Sequence, residues 1–254
     1  MHYYLIYVIL NCAPMWVFMY KCKHLKPDPV RDAKYAPFVR VDYHDWNFIS
    51  IGLKNLFFWP RQIIGWIAMT IVCFFVFLTL LGAPKDRALT GLRFRVFSFT
   101  LYIGCHVIAF FAGVVKVKVE DIDFDYSEYL GPDWKPDKTL KPSTLVGNHI
   151  GWMDCFTTNF IWEGGCPTVV TKESNFDIPG LKSMAIASGA LAMKRGDTKE
   201  AKAQTIQRII ERQKLAEQGK SSPIYMFPEG ASTNGYGGLL KFKKGAFCGL
   251  CSVQ

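Results

Sequence analysis

No charged residue occurs between Ile63 and Leu81, a run of 19 residues of which twelve are Leu, Ile, Val or Phe. As an α-helix such a run is about 28 Å long, close to the roughly 30 Å hydrocarbon core of a bilayer. At roughly −0.3 to −0.6 kcal/mol for each such side chain at mid-membrane, insertion is favoured by several kcal/mol. A second run, Val96 to Val115, has 20 residues with His106 as its one ionisable group. A helix buried in a large core is the competing reading of each. A disordered chain is excluded: half of the residues are hydrophobic and only 20% are charged.

The charges around these runs limit the topology. Arg61 precedes the first, Lys85, Asp86, Arg87, Arg93 and Arg95 lie in and around the connection, and Lys116 and Lys118 follow the second. Positive residues flank every end, so the asymmetry that normally orients spans is missing. A helical hairpin dipping into one leaflet, with all flanks on one face, accounts for this more simply than two full spans. Residues 3–20 are also apolar, interrupted by Asn11 and Pro14, with Lys21, Lys23 and Lys26 after the run. A signal peptide carries its basic residues before the apolar stretch. The observed order suits an N-terminal anchor whose following segment faces the cytosol.

The chain carries 30 Lys and Arg against 21 Asp and Glu, a net charge of +9. Its mean hydropathy is +0.12. A basic and greasy chain points to an anionic lipid surface or an anionic ligand. No nucleic-acid-binding motif is present, so a nucleic-acid partner is not expected. Cys73 and Cys105 lie inside the apolar runs and read as small hydrophobes. Cys248 and Cys251 form a lone CxxC with no second pair, a poor basis for a metal site. A disulfide scaffold is not expected at this length.

The character of the chain changes near residue 120. Asp121, Asp123, Asp125 and Glu128 make an acidic stretch, and Gly131 to Pro142 is rich in turn residues. The expected division is a membrane-associated region over 1–120 and a globular domain over 121–254. Short apolar runs predict strands at Val115–Val119, Thr144–Gly147, Thr168–Thr171, Ala190–Lys194 and Ile224–Phe227. Helices are expected at Trp152–Trp162, Leu181–Ser188 and Lys199–Gln218, the last opened by Asp197-Thr198 with Glu200 in capping-box spacing. Alternating strands and helices predict an α/β fold. Its form is a layered mixed sheet with flanking helices, preceded by an N-terminal hydrophobic helical membrane anchor.

Two stretches carry chemistry. The first is Asn148-His149-Ile-Gly-Trp-Met-Asp154, directly after a strand. On one helix, residues five apart lie about 140° from one another and share no face. They meet if His149 is in the loop and Asp154 in the first helical turn. The carboxylate then fixes the imidazole tautomer and stabilises the imidazolium formed during proton transfer. A histidine that merely caps a helix is the plain alternative. Cys155 as a nucleophile paired with His149 is a weaker one, because adjacent side chains on a helix diverge. The second stretch is Phe227-Pro-Glu-Gly-Ala-Ser-Thr-Asn234. Pro228 and Gly230 turn the chain and hold Glu229 at the sheet edge, where ligands of open α/β sheets collect. An ordinary turn is its alternative. Lys241, Lys243 and Lys244 follow, as phosphate ligands or as a solvated face.

His-x4-Asp followed about 75 residues later by Phe-Pro-Glu-Gly, on alternating strands behind an apolar half, resembles the glycerolipid acyltransferase family. That family includes the lysophosphatidate and lysophosphatidylcholine acyltransferases. The resemblance covers about residues 140–254. It implies that His149 is the general base, with Asp154 orienting it. Gly189-Ala-Leu-Ala-Met-Lys-Arg195 keeps the glycine and arginine of the family's intermediate motif but has Ala192 for its aromatic; Arg195 would contact the acceptor phosphate. Lys172 is a further ligand candidate. Glu229 and Gly230, with Phe227 and Pro228 of the same turn, carry over as substrate-binding residues. The resemblance further implies acyl-CoA and a lysophospholipid as substrates, with CoA part of the donor. It implies no metal or prosthetic group, membrane lipid as surroundings, and the endoplasmic reticulum if the source is eukaryotic.

Two departures bear on the substrate. Ser232 stands where many phosphatidate-forming members have arginine. Two arginines suit a phosphomonoester, whereas one charge fewer suits a phosphodiester such as lysophosphatidylcholine. That acceptor is therefore favoured over lysophosphatidate or glycerol 3-phosphate. Second, a further hydrophobic motif is expected where the chain stops at Gln254, so a domain truncated at its C-terminus is expected. It leaves open a catalytically inactive lipid-binding membrane protein. A soluble enzyme is the third alternative. Amides near His149 are expected to hold the oxyanion.

Overall fold

The computed structural model of the chain describes residues 2–22, 28–39, 47–120, 124–135, 141–151, 153–154, 156, 166–177, 180–193 and 199–253. The first half is helical: α1 (His2–Cys22), α2 (Pro29–Lys34), α3 (Phe48–Lys54), α4 (Phe58–Leu80), α5 (Gly91–Ala112) and α6 (Ser127–Leu130). The second half alternates: β1 (Thr144–Val146), β2 (Thr168–Lys172), α7 (Leu181–Ser188), β3 (Leu191–Met193), α8 (Lys199–Glu217) and β4 (Ile224–Met226). Short 3₁₀ turns lie at Ala36–Phe38, Glu173–Asp177 and Lys244–Phe247.

Among the described residues, three helices are long and apolar enough to cross a membrane: His2–Cys22, Gly52–Leu80 and Gly91–Ala112. Ile63, Ile64, Trp66, Ile67, Phe74 and Phe77 of α4 all point outward. A helix at the centre of a soluble core would hide them. The outward apolar faces therefore support membrane association rather than a buried core helix. Successive contacts between α4 and α5 step in opposite directions: Gly65 meets Phe111, Gly104 meets Val72, and Arg93 Nε donates to the Thr79 carbonyl at 2.8 Å. The two helices are an antiparallel hairpin. A Cβ on Gly65 would lie 3.0 Å from Phe111, and one on Gly104 would lie 2.8 Å from Val72. Glycines thus admit the neighbouring side chains, as small residues do between membrane helices.

The interruption of the first apolar run does not break α1, which continues through Pro14. Proline supplies no N–H to the carbonyl four residues earlier, here that of Leu10. Trp59 Nε1 donates to that carbonyl instead, at 2.8 Å. Asn11, 3% exposed, accepts the Trp59 backbone N–H through Oδ1 at 3.0 Å and donates through Nδ2 to the Tyr7 carbonyl at 2.8 Å. The two residues that break the apolar pattern join α1 to the first turn of α4.

The sheet has four strands in the order β1-β4-β2-β3, and every described ladder is parallel, which narrows the expected mixed sheet. Parallel neighbours need crossovers, and α7 and α8 provide those from β2 to β3 and from β3 to β4. Ile209 of α8 packs with Ile224, Met226 and Ala246 on one sheet face. Gln213, also of α8 and 1% exposed, donates to Thr144 Oγ1 and the Ala246 carbonyl and accepts the Gly249 N–H. Ser252 and Val253 lie along the outer edge of β1, with a parallel bridge from Val253 to Thr144.

The hairpin docks through its connecting end. Val72, Val76, Leu89 and Phe97 pack with Ala187, and the Leu89 N–H donates to the Ala187 carbonyl at 3.0 Å. Ser98 Oγ accepts the Cys166 N–H just before β2. These contacts lie at the end of the sheet where β2 and β3 begin.

The strands expected near 144, 168, 190 and 224 and two of the three expected helices, Leu181–Ser188 and Lys199–Gln218, form with boundaries shifted by at most one residue. The strand expected at Val115–Val119 does not form. Its alternation suits a half-buried strand, but no described strand pairs with it, and Val115 and Val119 are exposed. Most of Trp152–Trp162, and the cap pair Asp197-Thr198, lie outside the described residues.

Candidate active site

The site stands on the carboxyl ends of β1 and β4. β1 leaves the sheet at Gly147, where a Cβ would come within 2.6 Å of the Tyr225 hydroxyl. Only a glycine lets the neighbouring strand's tyrosine approach so closely. Two residues on, His149 Nδ1 lies 2.7 Å from Asp154 Oδ2. The same carboxylate oxygen accepts the Ile150 N–H at 2.7 Å and the Gly151 N–H at 2.9 Å. The loop is wrapped around the Asp154 carboxylate. With that carboxylate ionised, Nδ1 carries the proton and Nε2 keeps its lone pair. Nε2 has no hydrogen-bond partner among the described residues, and the His149 side chain is 24% exposed.

β4 contributes the floor. Tyr225 and Phe227 are two apart on the strand and share a face. Phe227 stacks on the imidazole with centroids 4.1 Å apart and planes inclined by 15°. Tyr225 meets Phe227 edge-on at 4.9 Å. Glu229, 4% exposed, accepts the His149 backbone N–H through Oε1 at 3.3 Å and the Leu240 N–H through Oε2 at 2.9 Å. Gly230 has φ +69°, which glycine adopts at little cost, and a Cβ there would lie 2.3 Å from Lys243 Nζ. The Lys243 N–H donates to the Pro228 carbonyl at 2.8 Å, so the basic segment is laced to the Phe-Pro-Glu-Gly turn. Thr233 N–H donates to the His149 carbonyl at 2.7 Å. Asn234 Nδ2 reaches the carbonyls of Ala36 and Val39, at 2.8 and 2.7 Å, tying the segment between α1 and α3 to this loop.

The structure thus brings together His149, Asp154, Phe227, Pro228, Glu229 and Gly230. Lys172 ends β2, the strand beside β4, and is exposed at the same sheet edge. Arg195 and Cys155 lie outside the described residues. Of the amides near His149, among which an oxyanion site is expected, those of 149–151 are occupied: Glu229 takes the first and Asp154 the next two. Tyr225 and Leu240 were not among the residues expected from sequence. Tyr225 was legible as the same-face neighbour of Phe227; the Leu240 contact runs through a backbone N–H, which no residue type encodes. Burial pushes the Cys166 thiol up to about 12, with Cys105 adding to the effect, so it stays protonated and unreactive at neutral pH.

The arrangement is an α/β sheet edge with a carboxylate-held histidine. Residues 131–250 match the family described as Acyltransferase. Over 113 residues the chain is 33% identical to "Lysophospholipid acyltransferase LPEAT1" of Arabidopsis thaliana. That match covers 42% of this chain and 26% of the relative, so the chain spans only part of the curated relative's length. No solved structure gives a significant match. The two matches support the glycerolipid acyltransferase family that the motifs resemble, with an acyltransferase-type domain over residues 131–250.

Proposed function

We propose that the chain transfers a fatty acyl group from acyl-CoA to the free hydroxyl of a lysophospholipid, with a lysophosphatidylcholine-type acceptor favoured. The observation that carries this is the 2.7 Å contact between His149 Nδ1 and Asp154 at the carboxyl edge of the sheet, with Nε2 unpartnered among the described residues. Nε2 takes the proton of the acceptor hydroxyl as its oxygen attacks the thioester carbonyl. The carbon–sulfur bond then breaks, and the leaving CoA sulfur recovers the proton from the imidazolium. Asp154 stabilises that cation and holds the ring. Lys172, Arg195 and Lys243 are the cations proposed for the acceptor phosphate; the ammonium of Lys243 lies over Gly230.

The reading assigns 1–120 to membrane association and 121–254 to acyl transfer, with no metal or prosthetic group. Its compartment is the endoplasmic reticulum if the source is eukaryotic. In this reading the lysophospholipid and acyl tail are drawn from lipid while the CoA head stays in water. The test is acyl transfer by membranes containing the full chain, from a labelled long-chain acyl-CoA. The acceptors are lysophosphatidylcholine, lysophosphatidate and glycerol 3-phosphate. Highest kcat/KM on lysophosphatidylcholine and loss of turnover in His149→Ala are expected. Preference for a phosphomonoester overturns the acceptor assignment. Equal background rates in wild type and variant favour a lipid-binding protein without turnover.

A further inference from the structure

We propose that Glu229 is a positioning residue for His149 rather than a ligand of the acceptor. The proposal rests on the reading of His149 as the base. An acceptor-binding carboxylate has to face the cleft, yet Glu229 is 4% exposed. Each of its oxygens is engaged by main chain: Oε1 by the His149 N–H at 3.3 Å and Oε2 by the Leu240 N–H at 2.9 Å. No cation pairs with it among the described residues. Burying a carboxylate is costly unless hydrogen bonds compensate, and here they come from two segments far apart in the chain.

The geometry around His149 shows what those bonds do. Its N–H is held by Glu229, its carbonyl by the Thr233 N–H at 2.7 Å, and Nδ1 by Asp154 at 2.7 Å. Three polar groups are tied and Nε2 is left to react. The Glu229 bond holds the backbone at the reactive residue itself. Its other oxygen holds Leu240, three residues before the lysine that crosses Gly230. The Leu240 bond holds the carboxylate itself in place beside His149.

Glutamine is nearly isosteric but offers one acceptor oxygen to two N–H donors, and its amide N–H groups oppose one of them. Misplacing a catalytic group lowers turnover and leaves affinity for a ligand it does not touch unchanged. The experiment measures steady-state kinetics of the full chain in membranes with a long-chain acyl-CoA and lysophosphatidylcholine. It compares wild type, Glu229→Gln, Glu229→Asp and His149→Ala, with rates corrected for the folded fraction by size-exclusion elution. Glu229→Gln is expected to lower kcat at least tenfold with the acceptor KM within threefold. Glu229→Asp, which keeps both oxygens and the charge, recovers part of the loss. Where Glu229→Gln fails to fold, the same kcat-against-KM split is read from Glu229→Asp. A tenfold or greater rise in acceptor KM with kcat unchanged overturns the proposal, as does no change in either. Lysophosphatidylcholine binding in a His149→Ala background gives a second readout. Adding Glu229→Gln should leave the dissociation constant within threefold, and a tenfold weakening overturns the proposal. Retained turnover in His149→Ala alone sinks the base reading instead, so the two failures are distinguishable.

Discussion

The α4–α5 hairpin and the carboxyl edge of the sheet are held together by different means. Along the hairpin the close contacts are apolar and shape-dependent, Gly65 against Phe111 and Gly104 against Val72, with the Arg93 bond to the Thr79 carbonyl at its connecting end. Its threonine hydroxyls are spent within their own helices, as when Thr100 Oγ1 donates to the Val96 carbonyl. At the sheet edge the buried polar residues Glu229 and Thr233, and at the start of β1 Gln213, reach across long stretches of sequence to main chain and side chain. Lipid offers no hydrophobic drive between helices, so fit decides there. A site proposed to move a proton needs directional bonds, and buried donors and acceptors supply them only when paired. The hairpin should therefore tolerate lost hydroxyls and punish added volume, with the sheet edge doing the reverse.

The largest expected effect is at the base. His149→Ala should reduce acyl transfer about 10²- to 10⁴-fold, the range for a positioned general base. It should leave the folded state nearly unchanged, because the ring is partly exposed and Phe227 retains its contact with Tyr225. A rate within threefold of wild type would show that this edge is built for binding alone.

Gln213→Leu removes no catalytic group but orphans the Ala246 carbonyl and the Gly249 N–H together and leaves Thr144 Oγ1 only its 3.4 Å bond with Ser143 Oγ. At about 1–3 kcal/mol for an unsatisfied buried group, partly relieved by relaxation, the expected loss is about 2–4 kcal/mol. Thermal unfolding in detergent measures it. As a control, Thr100→Val in α5 should change stability by less than about 0.5 kcal/mol, as for a substitution that orphans no buried group. Equal losses in the two variants would erase the contrast.

The same contrast explains what the sequence discloses. His149 and Asp154 are five residues apart, and the strand-to-helix turn that joins them is a local event, so their meeting could be read from spacing. Glu229 and His149 are 80 residues apart and meet because β4 lies beside β1 in the strand order. Nothing in the residues around either one states that adjacency. The apolar helices were legible from the absence of charge. The effect of Pro14 is not legible locally, because it depends on whether another group serves the carbonyl it leaves, and Trp59 lies 45 residues away in sequence. Val115–Val119 misled for the converse reason: alternation describes a face, and a strand also needs a partner.

In the hairpin the sensitive variable is volume. A Cβ at Gly104 would lie 2.8 Å from Val72, so Gly104→Leu must displace Val72 or separate the helices. Overpacking of this kind costs about 1–3 kcal/mol. Gly104→Ala should cost less than Gly104→Leu, since one methyl can be met by rotating Val72. Unfolding midpoints in a common detergent give the order. Turnover of the surviving folded protein should stay near wild type, because the hairpin meets the sheet where β2 and β3 begin, away from His149.

Asn11 tests whether the rule is about region or about burial. It lies among apolar helices, yet it is 3% exposed and bonded across 48 residues to the backbone of Trp59. If burial governs, it behaves like the residues of the sheet edge. Asn11→Leu then leaves the Trp59 N–H, in the first turn of α4, without its acceptor. Loss of a comparable N-terminal cap costs about 0.5–2 kcal/mol. Leucine fills the same volume and is more apolar, so a purely shape-held region would tolerate it or gain from it. A lowered unfolding midpoint for Asn11→Leu, with Thr100→Val unchanged, places the joint of α1 and α4 with the polar edge of the sheet. An unchanged or raised midpoint for both leaves the whole helical half to shape alone.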